Sequence, residues 1–464
     1  MLKSRDRLYG QLELPDLAWE VAMTCPVILR LREIRMANIP FLTHPSFANV
    51  DRYEHSLGVA HLAWRWARRC RIPNDQALAL TLAALYHDGA TPAFGHLLEE
   101  YLRRFGFDHE MALVDVLQGT SRELPGSENV QVFLGRHCKL RSVLPRPTSA
   151  GSYLTAFAVA DLAAGHGELG RLIKGDLDFD NVDNVIRAAT AMGLVQGLKP
   201  VHPYDIIDAL VLEDNSVRID HRKGFPIAVW SEVRRVLYER ILNNAYEFRA
   251  QAAMKWAIED CAASDPVLRT KAAWVLTDPE LTFEHLRRVP FSRLLVDRLR
   301  LGGPPELLFS AWVDDLSPLT DDRTGVLTTE LCNDLSELTN TEVYVNHYVD
   351  KRLRRISGPP ATQPALFDAL APAGAPNKSR WLTGSQAGIL GAIYVSRTEK
   401  LAPTADPPHR GSLSKRAARL DDMESILRRH LGRAPVAVST GWVGTAPRPT
   451  QSECSLTTHD HDQA

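Results

Sequence analysis

Apolar positions recur every three or four residues through most of residues 1–300, the period of helices that each bury one face. The stretch from His55 to Arg69, HSLGVAHLAWRWARR, places Leu57, Ala60, His61, Trp64 and Ala67 at helical spacing. A second helix is predicted from about Asp75 to Tyr86, opened by the start signals Pro73 and Asn74. Further helical windows fall at 97–105, 109–118, 153–164 and 182–192, with one long helix over 230–260. Pro and Gly punctuation between Leu144 and Gly151 reads as a loop, and VLEDNSVRID reads as a small hairpin around 210–220.

Beyond about residue 300 the period shortens. EVYVNHYV (342–349) and GILGAIYVS (388–396) are β-branched and aromatic, as strands are. A Pro/Ala-rich segment over 357–379 separates them and reads as an exposed loop. After residue 401 a polar tail holds one amphipathic helix near 413–431, with Leu420, Met423, Leu427 and Leu431 on one side, and then an end expected to be disordered. The expectation is a mainly α protein. Its parts are a helical domain over 1–300, a smaller α+β accessory region over 301–400 and a tail over 401–464.

Composition narrows the class. With 45% hydrophobic and 24% charged residues, the chain has the balance of an ordinary soluble protein. Lys+Arg 54 against Asp+Glu 56 leaves a net charge of −2, so no global basic field recruits nucleic acid, and a nucleic-acid partner stays an open question. No apolar run approaches the ~18 residues of a membrane span, and no apolar core follows the first charges as in a signal peptide. The six cysteines are scattered and form no CxxC pair. A reducing, cytoplasmic setting without membrane attachment is the expectation, and secreted, transmembrane and collagen-like classes are excluded.

The chemistry gathers in a few short stretches: RYEHSLG (52–58), HDGATPAFGH (87–96), DHE (108–110) and LDFDNVDNVIRA (177–188). Imidazoles and carboxylates together make a mixed N/O donor set suited to Mn²⁺, Fe²⁺, Ni²⁺ or Zn²⁺. Adjacent His87 and Asp88 diverge by about 100° in a regular helix, so they converge on one ion only if the helix ends there. Gly89 stands where that stop is expected. Taken singly, each residue also has a structural use. His55 or His87 can be a hydrogen-bonded core histidine, Asp88 a turn residue, and Asp178, Asp180 and Asp183 a charged helix start.

Read as an ordered set with RLREIRMAN (30–38), these motifs resemble the HD-domain phosphohydrolases, and within them the dNTP triphosphohydrolase (dGTPase-like) branch. Order and rough spacing are kept over residues 1–260. The resemblance implies a helical HD bundle and a divalent metal, Mg²⁺ included, held by His55, His87, Asp88 and Asp180. It implies that Arg52 contacts the phosphates and that His96 and His109 act as acid and base near the scissile phosphate. A homo-oligomer is the assembly that such relatives suggest.

Departures from the family pattern fall on the substrate side. Thr91 stands where the family has a histidine, and a threonine exchanges no proton near neutral pH. Asn184 replaces a sugar-contacting tyrosine, Ala188 an aspartate that binds the 3′-hydroxyl, and Asn181 a basic residue, while Arg187 persists. Thr91, Asn184 and Arg187 are therefore the candidate substrate-side residues. The leading expectation is hydrolysis of a (deoxy)nucleoside triphosphate to nucleoside plus tripolyphosphate. A phosphodiesterase or nuclease on the same site, or a nucleotide-binding regulator with little catalysis, is the alternative. Lys174, Tyr246 and Arg249 are weaker candidates.

Overall fold

The computed structural model describes residues 4–37, 43–118, 154–349, 387–396 and 420–443, less positions 176, 198–200, 243, 302, 433–434, 436 and 441. The expected loop at 144–151, the Pro/Ala-rich segment at 357–379 and the final residues lie outside the described residues. The described residues fall into two compact units. One takes in 4–237 and 267–281, the other 238–266, 282–349, 387–396 and 420–443.

The first unit opens with an antiparallel hairpin of β1 (Ser4–Asp6) and β2 (Gly10–Leu12), followed by α1 (Asp16–Thr24). Helix α2 (Arg52–Arg69) starts where the Asp51 carboxylate accepts the Glu54 N–H at 2.7 Å. Arg68 and Arg69 in its last turn suit the negative end of the helix dipole. Helix α3 (Asn74–Tyr86), rich in Ala and Leu, packs along α2. There follow α4 (His96–Leu102), α5 (His109–Gln118), α6 (Ala156–Ala163) and α7 (Phe179–Ala191). Helix α6 lies on α3 and α5, and α7 lies on α2. Trp66 anchors this core; its indole N–H donates to Leu210 O at 2.8 Å. The expected hairpin is present as β3 (Leu210–Glu213) and β4 (Ser216–Ile219). Its turn residues Asp214 and Asn215 both have positive φ, the backbone a two-residue hairpin turn demands.

Residues 230–260 are two helices and not one. Helix α8 (Gly224–Leu242) stops, and the Asn244 side chain accepts the Glu247 N–H at 3.2 Å to start α9 (Ala245–Ala262). An N-cap of this kind interrupts a continuous apolar period without disturbing it, which is why periodicity alone reads through it.

The second unit contains α9, α10 (Pro290–Arg300), β5 (Glu306–Val313), α11 (Val326–Thr339), β6 (Glu342–Val349), β7 (Gly388–Val395), α12 (Leu420–Leu431) and β8 (Ala437–Ser439). The strands make one antiparallel sheet in the order β6-β7-β5-β8, a split βαββαβ arrangement. Helices α11 and α12 cover one face, with Leu331, Leu335, Met423 and Leu427 against Val313, Val345 and Leu390. Helix α9 covers the other, with Trp256 stacked on Tyr344 and Phe248 edge-on to Tyr348. The protein is mainly α with a smaller α+β part toward its C-terminal side, as its sequence pattern implies.

Candidate metal centre

The histidines and acids singled out by sequence meet at the ends of three helices. His55 sits in the first turn of α2. His87 and Asp88 follow directly on the last residue of α3, and Asp180 lies in the first turn of α7. Helix α3 stops at Tyr86, three residues before Gly89, so His87 and Asp88 follow the helix end and turn toward each other. Gly89 does not act through a left-handed backbone. It acts by lacking a side chain, since a Cβ there would lie 3.0 Å from Tyr86 O and from Val27 Cγ1. The left-handed positions are Phe94 (φ 53°) and Gly95 (φ 57°), just ahead of α4.

One nitrogen each from His55 and His87 and one Asp88 oxygen lie within 4.8 Å of one another, a spacing able to hold a metal ion. The imidazole rings stand edge-to-face with centroids 5.1 Å apart. Asp180 Oδ1 is 3.0 Å from His55 Nε2 and 3.7 Å from His87 Nε2, so the fourth expected ligand borders both imidazoles without joining the three donors that lie within 4.8 Å of one another. The side chain of Asp180 is 35% exposed while those of His55 and His87 are nearly buried, so the seat opens on the Asp180 side.

Two observations fit this donor set to a divalent ion. First, His87 Nε2 is buried and has no hydrogen-bond partner among the described residues. His87 Nδ1 lies 2.8 Å from Ala84 O, which fixes that nitrogen as the donor and leaves the Nε2 lone pair directed at the seat. An orphaned buried acceptor is costly without a ligand. Second, His55 Nδ1 donates to the fully buried Asp183 at 2.7 Å, the carboxylate–histidine pairing that orients an imidazole ligand. Burial alone pushes the His55 imidazole down, but hydrogen bonds to Asp180 and Asp183 carry it up to about 10. The carboxylates thus attract a proton to the place where an ion's charge would sit, and proton and ion compete for the same lone pair.

Asp88 is held from two sides. Arg52 Nη1 donates to its Oδ2 at 2.7 Å, and the Thr91 hydroxyl donates to its Oδ1 at 2.9 Å. Burial opposes ionisation, yet the Arg52 guanidinium and the two imidazoles keep the carboxyl well below the usual carboxylate range. Next to it in the chain the loop 89–95 is fastened by residues far away in sequence. Arg30, the first residue of RLREIRMAN, donates to Gly89 O, Thr91 O, Trp274 O and Leu276 O. The Asp278 carboxylate accepts the Phe94 N–H at 2.7 Å and the Arg35 N–H at 2.9 Å. Burial raises Asp278 to about 6 despite those bonds.

His96 and His109 share one partner that sequence reading passed over. Glu99 is 1% exposed and accepts from His96 Nδ1 at 2.8 Å and from His109 Nδ1 at 2.7 Å, with the two rings 6.1 Å apart. Its place three residues after His96 on α4 is the one signal that points to it. Burial works against the Glu99 charge, but the two imidazole hydrogen bonds hold its carboxyl well below the usual range. Burial likewise works against a charged His109, and Glu99 carries it above the ordinary imidazole value. A raised folded-state value means that this pair stabilises fully below the ordinary histidine pKa of ~6.5. The contribution is lost as pH rises through the raised value. In Glu99→Gln, the His109 ring is expected to titrate at a lower pH than in the parent, read by NMR of the imidazole carbons. An unchanged titration would show that Glu99 does not govern it.

The remaining candidates separate. Arg187 is buried and turned inward, with Nε and Nη2 on Asp183 at 2.8 and 2.9 Å and Nη1 on Asp6 at 2.9 Å. Asn184 is half-buried one helical turn beyond Asp180, and Ala188, a turn further, is in the core. Asp178 caps α7, accepting the Asn181 N–H at 2.6 Å; burial and then the neighbouring Asp180 raise it to about 7. Lys174 pairs with Glu110. Tyr246 and Arg249 belong to the second unit, where the guanidinium lies over the ring.

Helical fold and site together define a class: residues 52–145 match the HD domain family, and that stretch carries His55, His87, Asp88, His96 and His109. Such a domain with this cluster points to a metal-dependent phosphohydrolase. Similarity to individual proteins is weaker. The chain is 28% identical over 124 residues to a deoxynucleoside triphosphate triphosphohydrolase SAMHD1 homolog of Dictyostelium discoideum, covering 24% of each chain. It is 25% identical over 194 residues to an uncharacterized protein, MJ1154, of Methanocaldococcus jannaschii, covering 42% of this chain and 35% of the relative. The matches thus span about a third or less of the relatives' own lengths. Among the described residues no helix is long and apolar enough to cross a membrane.

Proposed function

We propose that the chain hydrolyses a (deoxy)nucleoside triphosphate to nucleoside and tripolyphosphate with the help of a divalent ion. The observation that supports this best is the His55–His87–Asp88 cluster with the unpartnered Nε2 of His87. The activity in the name of the Dictyostelium relative supports the choice of substrate class. His55, His87, Asp88 and Asp180 are the residues assigned to hold the ion. When bound, such an ion supplies Lewis acidity toward phosphoryl oxygens and a strong oxygen nucleophile near neutral pH.

The chain's own residues carry the rest. Arg52 stands beside the seat through Asp88, and its fork is matched to phosphate oxygens. His96 and His109 both direct Nδ1 at Glu99, which leaves Nε2 of each ring for proton transfer. In the reaction a water oxygen would bond to the α-phosphorus while giving up a proton to solvent, and the bond from that phosphorus to O5′ would break. O5′ takes its proton from an imidazolium at His96 or His109. Thr91, bound to Asp88, takes no part in proton transfer and orients the carboxylate. Arg187 is assigned to Asp183 and not to substrate, and Asn184 is the substrate-side contact left on α7.

Product analysis by anion-exchange chromatography tests the reading. The purified chain is incubated with Mn²⁺ and a panel of dNTPs, NTPs and short single-stranded DNA, beside Asp88→Ala. Nucleoside plus tripolyphosphate, absent from the variant, is the expected result. Nucleoside monophosphate or shortened DNA would reassign the site to phosphodiester cleavage. Ion uptake without turnover of any phosphoester would make the chain a nucleotide-binding regulator.

A further inference from the structure

Behind His55 lies a buried polar network whose outermost members come from the N-terminal hairpin. Tyr9, in the turn between β1 and β2, donates its hydroxyl to Asp183 Oδ2 at 2.7 Å. The other oxygen of Asp183 takes His55 Nδ1 at 2.7 Å and Arg187 Nε at 2.8 Å. Asp6 closes the circuit. Its Oδ1 accepts the N–H groups of Leu8 and Tyr9 at 2.7 and 2.9 Å and so shapes the turn, while its Oδ2 takes Arg187 Nη1 at 2.9 Å. Tyr9 is 8% exposed, and its ring is held among His61, His202 and Tyr204 at centroid distances of 5.1 to 5.9 Å. Burial first, and the charge of Asp183 next, push its phenol well above the ordinary range, so the hydroxyl stays a donor.

Asp183 has more to satisfy than His55 alone. Unsupported, its carboxylate could rotate about the last side-chain bond and take the His55 ring with it. Arg187 grips both oxygens edge-on from α7, the same helix, and Tyr9 adds a donor from outside that helix. A residue two steps removed from an ion still sets ligand orientation when every group between is buried and hydrogen-bonded.

We infer that Tyr9 is a positioning residue for the metal seat, fixing Asp183 through its hydroxyl and thereby the plane and tautomer of His55. The inference rests on the reading of His55 as a ligand. It also makes the N-terminal hairpin a working part of the site, although the HD family match begins only at residue 52.

Tyr9→Phe in the full chain tests it, with Mn²⁺ affinity from calorimetry and the visible spectrum of the Co²⁺-loaded protein as readouts. The variant keeps the ring packing and removes one donor. Mn²⁺ affinity is expected to fall roughly 3- to 10-fold, at or below the low end of the ~10–100-fold that loss of an outer partner costs, with a shifted Co²⁺ spectrum. Asp183→Asn should show the same spectral shift and a larger loss. A lowered melting temperature with unchanged affinity and spectrum would make Tyr9 structural only and overturn the inference. Failure of the parent chain to bind Mn²⁺ at all would instead overturn the metal reading, and the inference with it.

Discussion

His87→Ala is expected to abolish divalent-ion binding and any phosphohydrolase activity while leaving the chain folded. The ring contributes one buried acceptor aimed at the seat and one hydrogen bond to Ala84 O, so its removal takes away a ligand and little else. Losing a direct ligand should cost more than the ~10–100-fold typical of an outer-shell partner. Asp88→Ala removes a ligand too, but it strips Arg52 of its buried counter-charge, and a stranded buried charge destabilises by about 3–5 kcal/mol. His87→Ala is therefore the cleaner variant for binding measurements. Calorimetric titration with Mn²⁺, beside a circular dichroism spectrum, checks it. Parent-like Mn²⁺ affinity would remove His87 from the seat and sink the four-ligand assignment.

The other large effect is expected at Gly58, in the second turn of α2. A Cβ there would lie 2.2 Å from Asp183 Oδ2, 2.5 Å from Arg187 Nη2 and 2.9 Å from Tyr9 Cε2. These neighbours are buried and mutually hydrogen-bonded, so none of them moves aside cheaply. Alanine gains up to ~1 kcal/mol of helix propensity over glycine. Against that stand about 1–3 kcal/mol for overpacking and the loss of a buried ion-pair network, so the network wins. Gly58→Ala should lose about 2–4 kcal/mol by these figures, with faster amide exchange across residues 52–69 and weakened Mn²⁺ binding. Hydrogen exchange resolves the helix directly. Exchange as slow as the parent's would mean that the slot accommodates a methyl group.

Both variants act on a site that was half legible in the chain. His55, His87, Asp88 and Asp180 stand in short motifs because each is placed by a helix end, and helix ends carry local signals. Asp51 caps α2 with Glu54 in the first turn, and Asp178 caps α7 with Asn181 beside it. Glu99 was within reach, three residues from His96. Tyr9 and Asp278 were not: each binds a partner more than 170 residues away, and no spacing rule connects such pairs. Arg187 stands differently. A motif position suggested a substrate contact, whereas the guanidinium is turned inward on Asp183 and Asp6.

The fold divides along the same line. Helices with one polar face were predictable because burial on one side leaves a period of 3.6 in the sequence. Strand β5, ELLFSAWV, was missed because Val313 is its single β-branched residue, so it lacks the signal that marks β7, which is equally central and equally buried. Strand β8 was missed because three residues at a sheet edge carry too little pattern. Legible in the chain were most of the helices, the strands rich in β-branched and aromatic residues and the four candidate donors, since all of these rest on neighbours a few residues apart. Tertiary structure alone decided that Tyr9, Arg30, Asp183 and Asp278 hold those donors in place. Orientation depends on which distant groups meet once the core has closed.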